Sequence, residues 1–522
     1  MLWANSHLVK WTLLRISPMR DETIQPIVLA LDIGTSSTRA LLFDHRGRSV
    51  PNSECQIPVE MITTADGGAE LDTETLFDLV CQTIDSTAKR ATQPIAAVGM
   101  SCFWHSLLGL DGDGNPVTPV YLWADTRARQ EVQAIRKEID PAQLWHNTGC
   151  FVHSSYWPGK LRWLKSFDPD QFGRVREWVA FGDFVLRRLV GYRGTSVSMA
   201  SATAMMNQKT CQWDDLAIKA AAVDPQTLPE INPSTEPLGT VGADLAKRWP
   251  NLAQAQWIAA HGDGACANVG SGGTGPHRIA LTVGTSGALR MVEPIKRITE
   301  ATDNLWTYRV DCERAVLGAA ISNGGKVIEW LAERTGGEIG DADWQAAAEM
   351  EIDEHGLTLL PFLAGERAPI WNDWATGAIA GLRLATTSAE IIRAGMEAVT
   401  WRLTLLYRTL ASHAEEPHKV VANGGAILRS PAWMQLMADA FQHPIIAMPA
   451  EEEASARGAA LLALEATGLI DSLDDAADPA ADGHVVQPNP VNADACQRAI
   501  DRQQVLFEAL YDRTGHPVLE ST

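Results

Sequence analysis

The sequence predicts an α/β protein of two similarly built lobes with a cleft between them. Three observations predict it: a chain too long for one core, a hairpin pattern that occurs twice, and strand-like segments alternating with helix-like ones. At 522 residues the chain exceeds what one hydrophobic core supports, and domains of roughly 100 to 200 residues make two or three the expectation. A hydrophobic fraction of 46% and a charged fraction of 20% are those of a well-packed globular protein.

The repeat decides the architecture. Residues 27 to 44 read IVLALDIGTSSTRALLFD, and about 250 residues later 279 to 293 read IALTVGTSGALRMVE. In each, an apolar β-rich run ends in Gly-Thr-Ser (Gly34, Thr35, Ser36 and Gly284, Thr285, Ser286) and a second apolar run follows. That is a β-hairpin with a hydroxyl-bearing turn, and two hairpins of one design imply two lobes of one design. Between the copies, a helical pattern over 71 to 91 precedes the strand-like PIAAVGMSCFW at 94 to 104. After the second come KVIEWLAERTG (326 to 336), a helical run over 388 to 414, the strand and glycine turn KVVANGGAILRS (419 to 430) and EEEASARGAALLALEATGLI (451 to 470). This alternation is the α/β pattern. The expected division is a leader at 1–24, with Met19 a second candidate start, a first lobe at 25–275, a second at 276–470, and an acidic C-terminal appendage with a short helix at 471–522.

Charge and cysteine usage exclude several classes. A formal charge of −21 leaves no broad basic surface for a nucleic-acid backbone, whereas a nucleotide can still bind through loop amides, helix N-termini and a metal ion. The eight cysteines are scattered without a C-x-x-C pair, which fits neither a disulfide framework nor a zinc site and points to reduced thiols in the cytoplasm. No run of about 18 apolar residues suggests a membrane span. A homodimer is compatible with the sequence.

Four constellations carry chemistry. Asp32 ends the first strand two residues before Gly34, with Thr35, Ser36, Ser37 and Arg39 beyond. The hydroxyls and turn amides suit phosphate oxygens, and the carboxylate suits a hydrated Mg²⁺, which binds through one or two carboxylates plus phosphates. His261-Gly262-Asp263-Gly264 closes a strand and opens a small-residue helix just before the second hairpin; glycines on both sides let a substrate approach Asp263 as a general base requires. Trp104-His105 ends a strand, and Trp123-Ala124-Asp125-Thr126-Arg127 follows about twenty residues later. Together they offer a polyol donors, acceptors and a flat surface, and Arg127 could face a carboxylate or instead brace its loop by pairing with Asp125 or Glu131. Asn423-Gly424-Gly425-Ala426 lies between a strand and a helix, where bare backbone suits adenine or ribose.

With LDIGTSSTRA, WADTRA, NTGCFVHSSYWPGKLRWL, HGDGACANVG, TVGTSGALR, ISNGGKVIEWL, PFLAGERAPIWN and ANGGAILRSPAWMQLMADAF in order over about 27 to 470, the chain resembles the FGGY family of carbohydrate kinases. That family is a branch of the actin, Hsp70 and hexokinase superfamily, so the resemblance implies two actin-like (ribonuclease H-like) lobes. It implies transfer of the ATP γ-phosphoryl group to a primary hydroxyl, with Mg²⁺. The motif forms look most like those of gluconate kinases, which implies conversion of D-gluconate to 6-phospho-D-gluconate. Carried over residue by residue, the base is Asp263 and the metal-linked carboxylate Asp32. ATP contacts fall on Thr35, Ser36, Ser37, Gly284, Thr285, Gly424, Gly425 and Ala426, and sugar contacts on Trp104, His105, Asp125, Arg127 and His153. Trp104 replaces a methionine common among relatives, and Trp157 a proline or hydroxyl residue; both departures bear on the sugar. A xylulose or other polyol kinase, a nucleotide-dependent binding protein in the manner of actin or Hsp70, and an inactive sugar sensor stay open as alternatives. Asp263 with the Trp123-to-Arg127 segment speaks against the second, and intact Asp32 and Asp263 against the third.

Overall fold

The computed structural model describes residues 25–298, 305–335, 341–363, 365–372, 375–449 and 453–511; the expected leader lies outside them. The first hairpin forms as expected, β1 (Ile27–Ile33) against β2 (Ser37–Phe43), antiparallel with Asp32 opposite Arg39. Strand β3 (Cys55–Pro58) extends β2. On the other side of β1 lies β4 (Ile95–Cys102), parallel, followed by β5 (Gln256–Trp257) and β6 (His261–Gly262) in parallel with β4. Helix α1 (Thr73–Ala88) begins where the Asp72 side chain accepts from the Thr75 amide, the usual satisfaction of an orphan N–H at a helix start. Helix α2 (Asp263–Gly270) starts directly after β6.

The second lobe repeats this plan. Strands β7 (Arg278–Val283) and β8 (Gly287–Pro294) form the second hairpin, and β9 (Trp306–Arg309) and β10 (Arg314–Ile321) continue the antiparallel side. Strands β11 (Lys419–Asn423) and β12 (Ile445–Ala447) add the parallel side and β13 (His484–Val486) an antiparallel edge, in the order β9-β10-β8-β7-β11-β12-β13. In both sheets an antiparallel set of strands is joined through the first strand of its hairpin to parallel strands, as a duplicated sequence pattern implies.

Helix α4 (Ser388–Ala411) packs on the second sheet and α3 (Gly325–Thr335) packs on α4, and α5 (Ala454–Ala466) crosses to the first lobe. There backbone meets backbone. A Cβ on Gly458 would lie 1.9 Å from the Cys266 carbonyl oxygen, and one on Gly270 1.7 Å from that of Ala454. Only glycine admits this approach of α5 to α2. The buried apolar residues of the two sheets and of these helices form one continuous cluster, so the lobes are joined through a packed seam.

The segment expected as an acidic appendage is built into the second lobe. Strand β13 (His484–Val486) closes the sheet edge against β12, and helix α6 (Ala493–Leu510) buries Cys496, Ala499, Ile500, Gln503 and Phe507. Gln503 Nε2 donates to the carbonyls of Leu359 and Ala398 at 2.9 and 3.1 Å. Its acidic residues face solvent while a helical stripe faces the core. No described helix is long and apolar enough to cross a membrane.

Candidate active site

Asp263 is the first residue of α2, set where that helix meets the end of β4 and β6. Its Oδ1 accepts from the amides of Gly264 at 2.8 Å and Trp104 at 3.4 Å. Burial raises its carboxyl above the usual range against the pull of Arg290, the two amides and Arg367. The flanking glycines answer to Trp104. A Cβ on Gly262 would lie 1.7 Å from the indole Nε1, and one on Gly264 2.4 Å from Cζ3. The Trp104 ring, 4% exposed, thus lies flat over the turn that carries Asp263. Its Nε1 is spent on the Ser198 carbonyl at 3.1 Å, so it offers the cleft a wall and no donor.

His105 follows in a left-handed backbone conformation, φ 66°. Its Nδ1 lies 2.6 Å from the Ala202 carbonyl; a carbonyl only accepts, so Nδ1 carries the proton and Nε2 is an acceptor. Burial lowers its pKa to about 3, which keeps the ring neutral. Tyr156 and Tyr308 stand edge-on to it at 5.0 and 5.6 Å, and their hydroxyls bridge the lobes at 2.6 Å. His153 Nδ1 accepts from the Ser155 amide at 3.1 Å, and its ring lies 5.6 Å from Trp371.

Asp32 is the second carboxylate. It takes a hydrogen bond from Ser101 Oγ at 2.8 Å. Burial lifts its pKa to about 6 against Ser101 and Arg39, with Asp263 and Glu453 raising it further, so the two carboxylates feel one another. Arg39 pairs with Glu54 and, across the lobes, with Glu453.

The second hairpin tip is built into the second lobe's turns. The Gly325 amide donates to the Gly284 carbonyl at 2.7 Å and the Gly324 amide to that of Thr285 at 2.9 Å. Gly424 has φ 97°, and a Cβ there would lie 2.6 Å from the Val283 carbonyl oxygen. Beside these turns is a cavity of about 620 Å³ lined by Gly325, Ile328, Trp344, Ala426, Arg429 and Trp433 among others, a size suited to a nucleoside.

The remaining two expected sugar contacts are held elsewhere. Arg127 Nε reaches both Asp125 oxygens at 3.2 and 3.1 Å, its Nη2 reaches Glu70 at 2.8 Å, and its guanidinium stacks 4.4 Å from the Trp163 ring centroid. Two acids and an aromatic face leave Arg127 bracing its loop, and Asp125, 1% exposed, is its counterion. Trp157 is likewise core, stacked 6.2 Å from Trp213 with its Nε1 on the Ser106 carbonyl.

Two arginines that sequence reasoning left unassigned come to the cleft instead. Arg290 on β8 donates from Nη1 to Thr282 at 3.3 Å, and Arg367 donates from Nη2 to the Ile321 carbonyl at 3.2 Å. The Nε atom of each is buried without an acceptor among the described residues. Both feel Asp263, and burial lowers both pKa values. They lie within TVGTSGALR and PFLAGERAPIWN, so their signal was an arginine inside an ordered motif; Tyr308, in no motif, had none.

The profile of the FGGY family of carbohydrate kinases matches through its N-terminal domain at residues 27–270 and its C-terminal domain at 279–467. The chain belongs to the FGGY family of carbohydrate kinases. It is therefore a phosphotransferase with an alcohol group as acceptor and ATP as co-substrate. It is 28% identical over 467 residues to a gluconokinase of Bacillus subtilis, covering 86% of this chain and 90% of that one. A gluconate kinase structure from Lactobacillus acidophilus superposes with a TM-score of 0.84 at 28% identity, over 94% of this chain and 99% of that one. A ligand-bound xylulose kinase structure from the same organism gives the same values. The family's two-lobe actin-like fold is thus that of this chain, and the likeness of fold is neutral between the two sugars.

Proposed function

We propose that the protein transfers the ATP γ-phosphoryl group to the primary hydroxyl of D-gluconate, giving 6-phospho-D-gluconate, with residues 25–275 holding the sugar and 276–470 the nucleotide. The observation that carries this reading is the state of Asp263. Both of its amide contacts use Oδ1, so Oδ2 is the oxygen to take a proton from a substrate hydroxyl, and its raised pKa strengthens it as a base. As the hydroxyl oxygen attacks phosphorus, its proton passes to Oδ2 and ADP leaves with the electron pair of the broken P–O bond. Catalysis is then chiefly alignment and charge stabilisation between closed lobes.

The other roles follow from position. His105 Nε2 accepts from a sugar hydroxyl, Trp104 forms the floor, and His153 borders the pocket. Thr35, Ser36, Ser37, Gly284 and Thr285 offer hydroxyls and amides to phosphate oxygens, and Gly424, Gly425 and Ala426 border the nucleoside. Asp32 fits Mg²⁺: a desolvated carboxylate gains from a cation, and no cluster of three or more metal-binding side chains occurs among the described residues, as suits an ion held by one carboxylate, phosphates and water. Bound there, Mg²⁺ would neutralise phosphate charge.

Gluconate is supported by the relatives named gluconokinase and gluconate kinase and by two buried arginines in the cleft whose charge reaches Asp263. Its eight free thiols suit the cytoplasm. Sugar-dependent ADP release over D-gluconate, D-xylulose and glycerol tests the reading: the highest kcat/KM is expected with gluconate, and efficient xylulose turnover with none on gluconate overturns it.

A further inference from the structure

The cleft contains more positive charge than it pairs. Arg367 adds to the electrostatic cost of Arg290, and among the described carboxylates Asp263 offsets both. Each guanidinium has a buried Nε with no acceptor among the described residues, and a buried donor left unsatisfied costs roughly 1 to 3 kcal/mol. Such a pair is stable in a folded protein when an anionic ligand completes it.

The two arginines answer to different ends of the substrate. A Cβ on Gly264 would lie 2.9 Å from Arg290 Nε, so Arg290 stands beside the reacting end. Arg367 lies farther along the cleft, its Cζ 4.9 Å from the Trp123 ring centroid, in the environment of Tyr156 and Tyr308 and of His105. In a six-carbon acid whose C6 hydroxyl reacts at Asp263, the carboxylate is at the opposite end of the chain.

The residues around Arg367 are tied to the second lobe and to each other. Glu366, 2% exposed, pairs with Arg402, and the Glu366 and Asn372 backbones exchange hydrogen bonds at 2.9 and 2.8 Å. The same loop holds a second buried donor without an acceptor among the described residues, Trp371 Nε1, whose ring lies 5.6 Å from that of His153 and 6.2 Å from that of Tyr156. A loop with two such donors against the sugar-side aromatics is suited to an acceptor-rich group.

We propose that Arg367 binds the substrate's carboxylate and sets the preference for a sugar acid over the corresponding neutral polyol, an assignment that rests on the gluconate reading above. Its planar fork matches a carboxylate in two parallel hydrogen bonds, and stacking on Trp123 fixes the plane. The preference it creates is one of charge, so a ligand identical except for a terminal CH₂OH loses it.

The test compares D-gluconate and D-glucitol by calorimetric titration and steady-state turnover, in the wild type, Arg367→Gln and Arg367→Lys. Wild type is expected to bind gluconate roughly 30-fold or more tighter than glucitol, the effect of one buried charge pair. Arg367→Gln is expected to abolish that preference with glucitol affinity and the KM for ATP unchanged. Arg367→Lys, which keeps the charge and loses the fork, is expected to retain roughly tenfold. A Gln variant with the wild-type preference overturns the proposal, as does either variant weakening both ligands alike or lowering kcat for both without changing their ratio. If Gln proves unfolded, the Lys variant decides by the same ratio. A wild type that phosphorylates gluconate while the Gln variant keeps the full charge preference sinks this assignment alone; a wild type inactive on gluconate sinks the substrate reading and this assignment together.

Discussion

Replacing Asp263 with asparagine changes one atom of the proposed chemistry and little else. The amides of Gly264 and Trp104 both donate to Oδ1, and an asparagine carbonyl oxygen in that position accepts from both as the carboxylate does. Only Oδ2 is exchanged, for an NH₂ that cannot take a proton. The turn is held from above by the Trp104 ring over Gly262 and Gly264, so the backbone has no room to relax. Loss of a general base then costs roughly 10² to 10⁴ in kcat, or roughly 3 to 5 kcal/mol of transition-state stabilisation, with KM for both substrates within a few-fold of wild type. Removing the negative charge also leaves Arg290 and Arg367 unopposed, so the variant should bind anionic ligands no more weakly than wild type. Single-turnover phosphorylation with saturating substrates, alongside a thermal melt, measures both quantities. A variant within tenfold of wild-type kcat, or one in which KM rises while kcat stays constant, would refute the role given to Asp263.

Three further outcomes follow from the geometry. Burial raises Asp32, to about 6, and also raises Asp263, and the reaction needs both ionised; activity should fall as pH drops through about 6 and extend to lower pH at higher Mg²⁺, whereas an acid limb indifferent to Mg²⁺ would separate Asp32 from the metal. Gly424→Ala places a Cβ 2.6 Å from the Val283 carbonyl oxygen at φ 97°, a strain of roughly 1 to 3 kcal/mol; the KM for ATP should rise and that for the sugar should not, and equal effects on both would argue against a nucleotide role for this turn. Arg127→Ala strands Asp125 in the interior, which should destabilise by about 3 kcal/mol in denaturant unfolding while leaving the acid-over-polyol preference intact; loss of that preference would return the carboxylate contact to Arg127.

What was legible in the sequence was what is local. Each hairpin, with its glycine turn and hydroxyls, is specified by adjacent residues, and duplicated hairpins carried the two-lobe plan. Asp263 stands out in the sequence because glycines flank it, although the reason for them, the Trp104 ring lying 159 residues away in the chain, is tertiary. Arg127 shows the limit: its neighbour Asp125 was visible, but Glu70 and the Trp163 face reach it only through folding. Arg290, Arg367 and Tyr308 enter the cleft from the opposite lobe, and no spacing rule connects them to His105. The acidic C-terminal segment misled by composition, since its helical stripe of Cys496, Ala499, Ile500, Gln503 and Phe507 is outnumbered by the charged and small residues around it.

The most direct test of the central claim is the identity of the product. Purified protein with Mg²⁺, ATP and D-gluconate labelled with ¹³C at C6 is followed by ³¹P and ¹³C NMR. The account predicts one phosphomonoester, coupled to C6, appearing in step with ADP. ATP consumed with inorganic phosphate as the sole new phosphorus signal, or a phosphoryl group on any other carbon, would contradict it.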